Sequence, residues 1–262
     1  MNDFSINSRF TNALYDIKIY VPDTKVPAGG FPVYYVLDGL SYFGFVKDSV
    51  RLQQLNKMKT GTIPAIVVGI CHRKEEMRER RFIDYTAPTE ELHIPARAKG
   101  KIPEVYGGAE QFYRFIEQEL IPVIEAEYPV NPTQRTLFGH SLGGYFALWT
   151  LFTQGEKFKH IIAISPSIWW NEEELMDMGT RFIANGGAKR FAHIFMAVGE
   201  LEGFMVEDAK KLSAMLKIAG LQVECYVALE ENHASVVPTV VSRALRFCSK
   251  SEQKALEATF NS

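Results

Sequence analysis

Seven short apolar runs rich in β-branched residues are spaced along the chain, at Leu14–Val21, Val33–Leu37, Ala65–Ile70, Arg135–Phe138, Ile161–Ile164, Ile194–Val198 and Val223–Leu229. Stretches with helical spacing fall among them, at Ala109–Glu127, Leu142–Phe152, Phe204–Ile218 and Ala234–Phe247. Strands alternating with helices imply a mainly parallel sheet covered on both faces, which sets the class as α/β. The later runs are almost unbroken apolar sequence, the pattern of strands buried on both sides. The first run alternates instead, with Tyr15, Ile17 and Ile19 opposed to Asp16, Lys18 and Tyr20. That pattern predicts a half-exposed antiparallel edge strand.

A length of 262 residues fits one large domain spanning 1–262 better than two small ones. A hydrophobic content of 47% with a formal charge of -2 supplies no electrostatic reason for nucleic acid or an anionic membrane as partner. The start, MNDFSINSRFTNALYD, has no basic segment leading into an apolar run, and nowhere do eighteen apolar residues run together. Neither export nor a membrane span is therefore expected, and the cytoplasm is the default location. Cys71, Cys225 and Cys248 are odd in number and widely spaced, which argues against a disulfide framework and a structural zinc site. Two stretches interrupt the alternation, at about 71–106 and 169–190. Connections this long form walls or lids over a site, or are surface excursions.

The stretch LFGHSLGGYFAL, Leu137 to Leu148, contains a G-x-S-x-G pentapeptide. The pentapeptide alone is weak, because chance supplies it readily. Its setting is specific: RTLF is a short strand, Gly139 to Gly143 a turn, and LGGYFALWTLF a helix. A serine on such a strand-to-helix corner takes a strained backbone conformation, and side chains two positions to either side would collide, hence Gly139 and Gly143. Gly144 leaves room for close packing. Ser141 would then be a nucleophile at a helix N-terminus, with the Leu142 N–H as first oxyanion donor. A second donor is expected after strand Val33–Leu37, from the N–H of Gly39 or Leu40.

A serine nucleophile needs a base, and in α/β hydrolases the chain order is serine, acid, histidine. His160 and His193 stand at strand beginnings, the wrong end of a parallel sheet for a site. His233 lies in EENHASVVP, between the last strand and the last helix, and is the expected base. VGELEG carries the candidate acids Glu200 and Glu202 just after the preceding strand, with Glu202 favoured and Glu231 a weaker candidate.

The blocks YVLDG, RRFIDYTAP, GGAEQFYRFIEQELIPVIEAEYPV, RTLFGHSLGGYFAL, IAISPSIWW, VGELEG and ENHASVVP, in this order, together resemble an esterase family that includes esterase D and the enterobactin-type siderophore esterases. The resemblance spans about residues 10 to 250. It implies an α/β-hydrolase fold and hydrolysis of carboxylic esters without a cofactor by a Ser-acid-His triad. Ser141 matches the nucleophile and His233 the base. Glutamate stands at 202 where many relatives have aspartate. GHSLGGYFAL and SPSIWW are most similar to the siderophore trilactone hydrolases.

Trp169 and Trp170 follow strand Ile161–Ile164 closely and are expected to emerge at the sheet edge that carries Ser141, as an aromatic wall for an aryl or catechol group or as core. The cluster Arg73, Lys74, Arg78, Arg80 and Arg81 leaves another strand end, interleaved with Glu75, Glu76 and Glu79. Arg73, nearest the strand, is the candidate substrate contact, and Arg81, three residues before Asp84, a candidate structural ion pair. No H-E-x-x-H, Walker loop or G-x-G-x-x-G is present, so neither metal nor nucleotide is expected. The expected partner is a small-molecule ester. The alternatives are an acyltransferase, a thioesterase of the S-formylglutathione hydrolase kind, or a catalytically dead binding protein.

Overall fold

The computed structural model describes residues 3–98, 104–155, 157–187 and 193–260, with side chains up to 249. Its strands are β1 Phe4–Asn7, β2 Leu14–Tyr20, β3 Phe31–Val36, β4 Ile66–His72, β5 Val130–His140, β6 His160–Ile164, β7 His193–Gly199 and β8 Gln222–Ala228. The helices are α1 Gly39–Gln53, α2 Lys57–Thr60, α3 Met77–Tyr85, α4 Ala109–Phe115, α5 Ile121–Glu127, α6 Leu142–Thr153, α7 Glu174–Ala184, α8 Phe204–Ile218 and α9 Val236–Phe260.

The eight strands form one sheet in the order β1-β2-β4-β3-β5-β6-β7-β8. β1 and β2, and β2 and β4, pair antiparallel, and every later pairing is parallel. The predicted edge strand is therefore second from the edge, because β1, too short to announce itself in sequence, pairs along it.

Each central strand divides its side chains between two cores. Val33 and Tyr35 of β3, Ile161 and Ala163 of β6 and Ile194 and Met196 of β7 join residues of α4 to α8 on one face. Tyr34 and Val36, Ile162 and Ile164, and Phe195 and Ala197 meet α1 and α9 on the other. This double burial explains the unbroken apolar runs.

The pairing registers decide where chemistry can occur. Val36 pairs with Phe138, His140 with Ile164, Ile164 with Ala197, and Gly199 with Ala228. The C-terminal ends of β3, β5, β6, β7 and β8 thus lie level, and the residues just beyond them share one edge of the sheet.

Three differences from the sequence expectations have local causes. The long helix expected at 109–127 is interrupted by a π-helical turn, Ile116–Leu120, in which the Ile121 N–H reaches the Ile116 carbonyl. Pro122 follows at once and has no N–H with which to continue the ordinary ladder. The excursion at 71–106 contains α3, which the charge cluster conceals; the excursion at 169–190 contains α7. Parts of both excursions, 99–103 and 188–190, lie outside the described residues.

His160 and His193 stand opposite each other at the N-terminal ends of β6 and β7, with ring centroids 5.3 Å apart. Burial, reinforced by the charges of His193 and Lys159, pushes the His160 pKa down to about 3. The unfolded chain therefore binds this proton first, so the stability His160 provides is present above its ordinary pKa and is lost as pH falls toward 3. Urea unfolding should show stability falling by on the order of 1–2 kcal/mol between pH 7 and 5 on account of this group. His160→Gln should flatten the dependence.

Candidate active site

β5 ends at His140 and α6 begins at Leu142, leaving Ser141 alone at the corner. Its backbone sits at φ 60, ψ -120, a conformation that L residues rarely hold unless the surroundings impose it. Three bonds do so: the Ser141 N–H donates to the Ile164 carbonyl at 3.0 Å, and the Ser141 carbonyl accepts from the N–H groups of Tyr145 and Ser167 at 2.9 and 3.1 Å.

The two glycines of the motif are not equivalent. A Cβ on Gly139 would lie 2.0 Å from the Gly143 carbonyl oxygen, whereas one on Gly143 would meet only ordinary contacts, the nearest with Asp38 Oδ2 at 3.4 Å. The corner is thus closed by backbone lying against Gly139, not by crowding at both positions. A Cβ on Gly144 would lie 3.1 Å from the Ile164 carbonyl oxygen and from Pro166 Cα, tighter than ordinary contact, so glycine there allows the close packing.

Beyond β7 and β8, Glu202 meets His233. His233 Nδ1 is 2.7 Å from Glu202 Oε2. Glu202 Oε1 accepts from Ser165 Oγ and from the Gly199 N–H, both at 2.6 Å, and its side chain is 1% exposed. Burial alone would raise the Glu202 pKa, but hydrogen bonds from His233, Ser165 and the Gly199 N–H outweigh it and hold the carboxyl below its ordinary range. A carboxylate at Nδ1 makes that nitrogen the donor and leaves Nε2 as the basic one. The other two candidate acids are engaged elsewhere: Glu200 Oε2 accepts from the Glu230 N–H, and Glu231 Oε1 accepts from Thr239 Oγ1. Gly199 lets the His233 loop approach, since a Cβ there would lie 2.3 Å from the Glu231 carbonyl oxygen.

Ser141 and His233 line one cleft of about 230 Å³, with Ser167, Arg97, Trp169, Phe204 and Met205 among its other walls. Ser141 Oγ lies 3.5 Å from Ser167 Oγ. Arg97 is held by Glu173 and, at 3.2 Å, by Asp208, and its guanidinium lies 4.8 Å from the centre of the Phe204 ring. His140 packs its ring 4.5 Å from that of His233. Burial, then the charges of His233 and Arg81, pushes the His140 pKa down to about 3, so it stays neutral and is no rival base.

The N–H groups of Leu142, Gly39 and Leu40 fall in the first turns of α6 and α1, where helix amides have no carbonyl within the helix to bind. β3 and β5 are adjacent and parallel, so the two helix starts are neighbours.

Three expectations need correction. Trp169 lines the cleft, but Trp170 is fully buried against Phe82 and Tyr106 and is core. Arg73 is exposed and absent from the cleft walls, because the chain turns away after β4; the arginine that reaches the cleft is Arg97. Arg81 pairs with Asp38 at 2.8 Å, and Asp84 is met by Arg80, one helical turn before it, by His72 at 2.9 Å and by the Tyr15 hydroxyl at 2.7 Å. Arg97, Ser165, Ser167 and Phe204 carried no sequence signal beyond lying in a long connection or just after a strand. Among the described residues no group of three or more His, Cys, Asp or Glu is arranged to hold a metal, and no helix is long and apolar enough to cross a membrane.

The sequence profile of the family described as "Putative esterase" matches residues 8–228. The chain belongs to this esterase family. The ferri-bacillibactin esterase BesA of Bacillus subtilis is 40% identical over 251 residues, covering 92% of this chain and 87% of that protein. The siderophore enterobactin esterase of Emericella nidulans is 29% identical over 248 residues, 82% of this chain and 81% of its own length. The crystal structure of the BES protein from Bacillus cereus superposes with a TM-score of 0.85 at 37% identity, covering 94% of this chain and 95% of the other. This esterase has the α/β-hydrolase fold and is an ester-hydrolysing enzyme.

The unequal glycines of the elbow can be separated by urea denaturation. Gly139→Ala is expected to cost about 3 kcal/mol or more, because backbone must move, and Gly143→Ala under about 1 kcal/mol.

Proposed function

We propose that this esterase hydrolyses the ester bonds of siderophores, with catecholate trilactones as the substrate class, through an acyl-enzyme on Ser141. The observation that carries the reading is the hydrogen-bonded pair of Glu202 and His233 sharing a cleft with a serine on a strained elbow. The Ser141 hydroxyl turns from Ser167 toward His233, whose Nε2 takes its proton as Oγ attacks the ester carbonyl. Negative charge on the carbonyl oxygen is met by the Leu142 N–H and by the N–H of Gly39 or Leu40, at two helix N-termini whose dipoles favour an anion. Collapse expels the alcohol, which recovers the proton from His233. A water activated by the same ring then releases the acid. Glu202 holds the tautomer and stabilises the imidazolium without taking its proton.

The substrate class is supported by the relatives, named as ferri-bacillibactin and siderophore enterobactin esterases, and by the cleft wall. Trp169 and Phe204 offer apolar faces, which suits an aryl group, and Arg97, paired with Glu173 and Asp208, lines the same cleft. A cleft of about 230 Å³ takes one aryl ester arm at a time and leaves the rest of a trilactone outside. Iron, where the siderophore carries it, belongs to the substrate. A cytoplasmic location is part of the proposal and is supported by three free cysteines.

Ser141→Ala should lower kcat by about 10³-fold or more on a chromogenic short-chain ester while leaving the thermal midpoint unchanged, and a fluorophosphonate should label the wild-type protein at Ser141. Full activity in Ser141→Ala would sink the mechanism. Trilactones left intact by an enzyme that cleaves simple aryl esters would remove the siderophore assignment and leave the esterase standing.

A further inference from the structure

One half-buried cation joins the two segments that carry the proposed oxyanion donors. Among the described residues the backbone ladder between β3 and β5 ends where the Leu37 N–H donates to the Phe138 carbonyl at 2.9 Å. Past that point the chains diverge into α1 and α6, and Arg81 of α3 lies across the gap. Its Nε donates to Asp38 Oδ1 at 2.8 Å, and its Nη2 to the His140 carbonyl at 3.4 Å. Asp38 immediately precedes Gly39 and Leu40, and His140 immediately precedes Ser141 and Leu142.

Asp38 needs such a hold. Its backbone is left-handed at φ 51, uncommon for a residue with a side chain, and the residue is 4% exposed. Tyr85 of the same helix α3 assists. Its hydroxyl accepts the Asp38 N–H at 3.2 Å and lies 3.3 Å from Oδ1 as a donor. Burial keeps Tyr85 protonated and so able to donate. The Asp38 carboxylate approaches the elbow closely enough that its Oδ2 is the nearest atom to a Cβ placed on Gly143. A buried carboxylate at that distance opposes the growth of negative charge on a substrate oxygen unless a cation offsets it.

We propose that Arg81 is a positioning residue for catalysis, clamping the starts of α1 and α6 at the separation an oxyanion requires and neutralising the Asp38 carboxylate beside it. The proposal rests on the reading of Ser141 as nucleophile. Because an oxyanion exists only after attack, loss of the clamp falls on kcat and spares substrate binding. A purely structural ion pair would lower the thermal midpoint instead, and the folded molecules that remained would turn over normally.

The test measures kcat and KM on a chromogenic short-chain aryl ester for Arg81→Met, Arg81→Lys, Asp38→Asn and the double variant Arg81→Met/Asp38→Asn. Rates are expressed per site labelled stoichiometrically by a fluorophosphonate, with thermal midpoints recorded in parallel. Arg81→Met is expected to lower kcat by about 10- to 100-fold with KM within about two-fold of wild type. Arg81→Lys, which keeps the charge but cannot fork to both partners, should fall between the two. The double variant should be no slower than Arg81→Met alone, since both changes undo one unit. A kcat per labelled site within about two-fold of wild type in Arg81→Met, or losses that multiply in the double variant, would overturn the clamp. If Arg81→Met yields no folded protein, Arg81→Gln, which keeps polar reach toward Asp38 but neither the charge nor the fork, carries the expectation of a kcat loss at unchanged KM and the same overturning result. Ser141→Ala measured alongside separates the two claims. Activity there removes the nucleophile reading, whereas an inactive Ser141→Ala with an unimpaired Arg81→Met removes the clamp alone.

Discussion

The common register of β3, β5, β6, β7 and β8 is the constraint on which the site depends. Pairing brings Val36, His140, Ile164, Gly199 and Ala228 to nearly one level, so Asp38, Ser141, Ser165, Glu202 and His233 all come just after it. These residues are spread over almost two hundred positions of sequence, and no local interaction could gather them. The sheet does so because its strands are buried on both faces. A slip of one residue would exchange the two cores, a penalty no edge loop could offset.

Strain is concentrated at that edge and opposed by hydrogen bonds from neighbouring strands. Asp38, Ser141 and Ser165 all have positive φ at or just past strand ends. Ser141 is tied to Ile164 and Ser167, Ser165 to Ala197 and Glu202, and Asp38 to Tyr85 and Arg81. Each unfavourable backbone state is thus over-determined by contacts from a different element, the condition under which such states persist at functional sites. The arrangement also preorganises polar groups before substrate arrives. Glu202 is already held below its ordinary carboxyl range and bonded to His233, and α1 and α6 start just beyond the adjacent parallel strands β3 and β5.

Much of this architecture was legible in residue order. The predicted strands and helices fall on observed ones because their apolar periodicity is what the two cores require, and Phe204–Ile218 coincides with α8. The omissions are the helices α1 and α7, of 15 and 11 residues, and elements whose signal is charge or brevity. β1 is four residues long, and α3 presents MRERRFIDY, whose inner side makes ion pairs through Arg80, Arg81 and Asp84 beside the apolar contacts of Phe82 and Tyr85. Glu202 lies in a favoured position, but its preference over Glu200 became a geometric fact only when one carboxylate turned inward to His233 and the other outward to the loop backbone.

What the sequence by itself determined is the α/β class, the elbow at Ser141, the exclusion of His160 and His193 from the site edge, and the membership of an esterase family. The first three follow from periodicity, from glycine beside a strained corner and from chain order, which are local or ordinal properties, and the family from the ordered blocks that resemble it. The tertiary structure alone decided that Trp170 is core while its neighbour Trp169 faces the cleft, that Arg97 and not Arg73 reaches it, and that Arg81 pairs with Asp38 across forty-three positions. The physical reason is the same in each case. Side-chain direction at a loop or helix end is set by what packs against it from distant parts of the chain, and adjacent residues of identical type can be turned opposite ways.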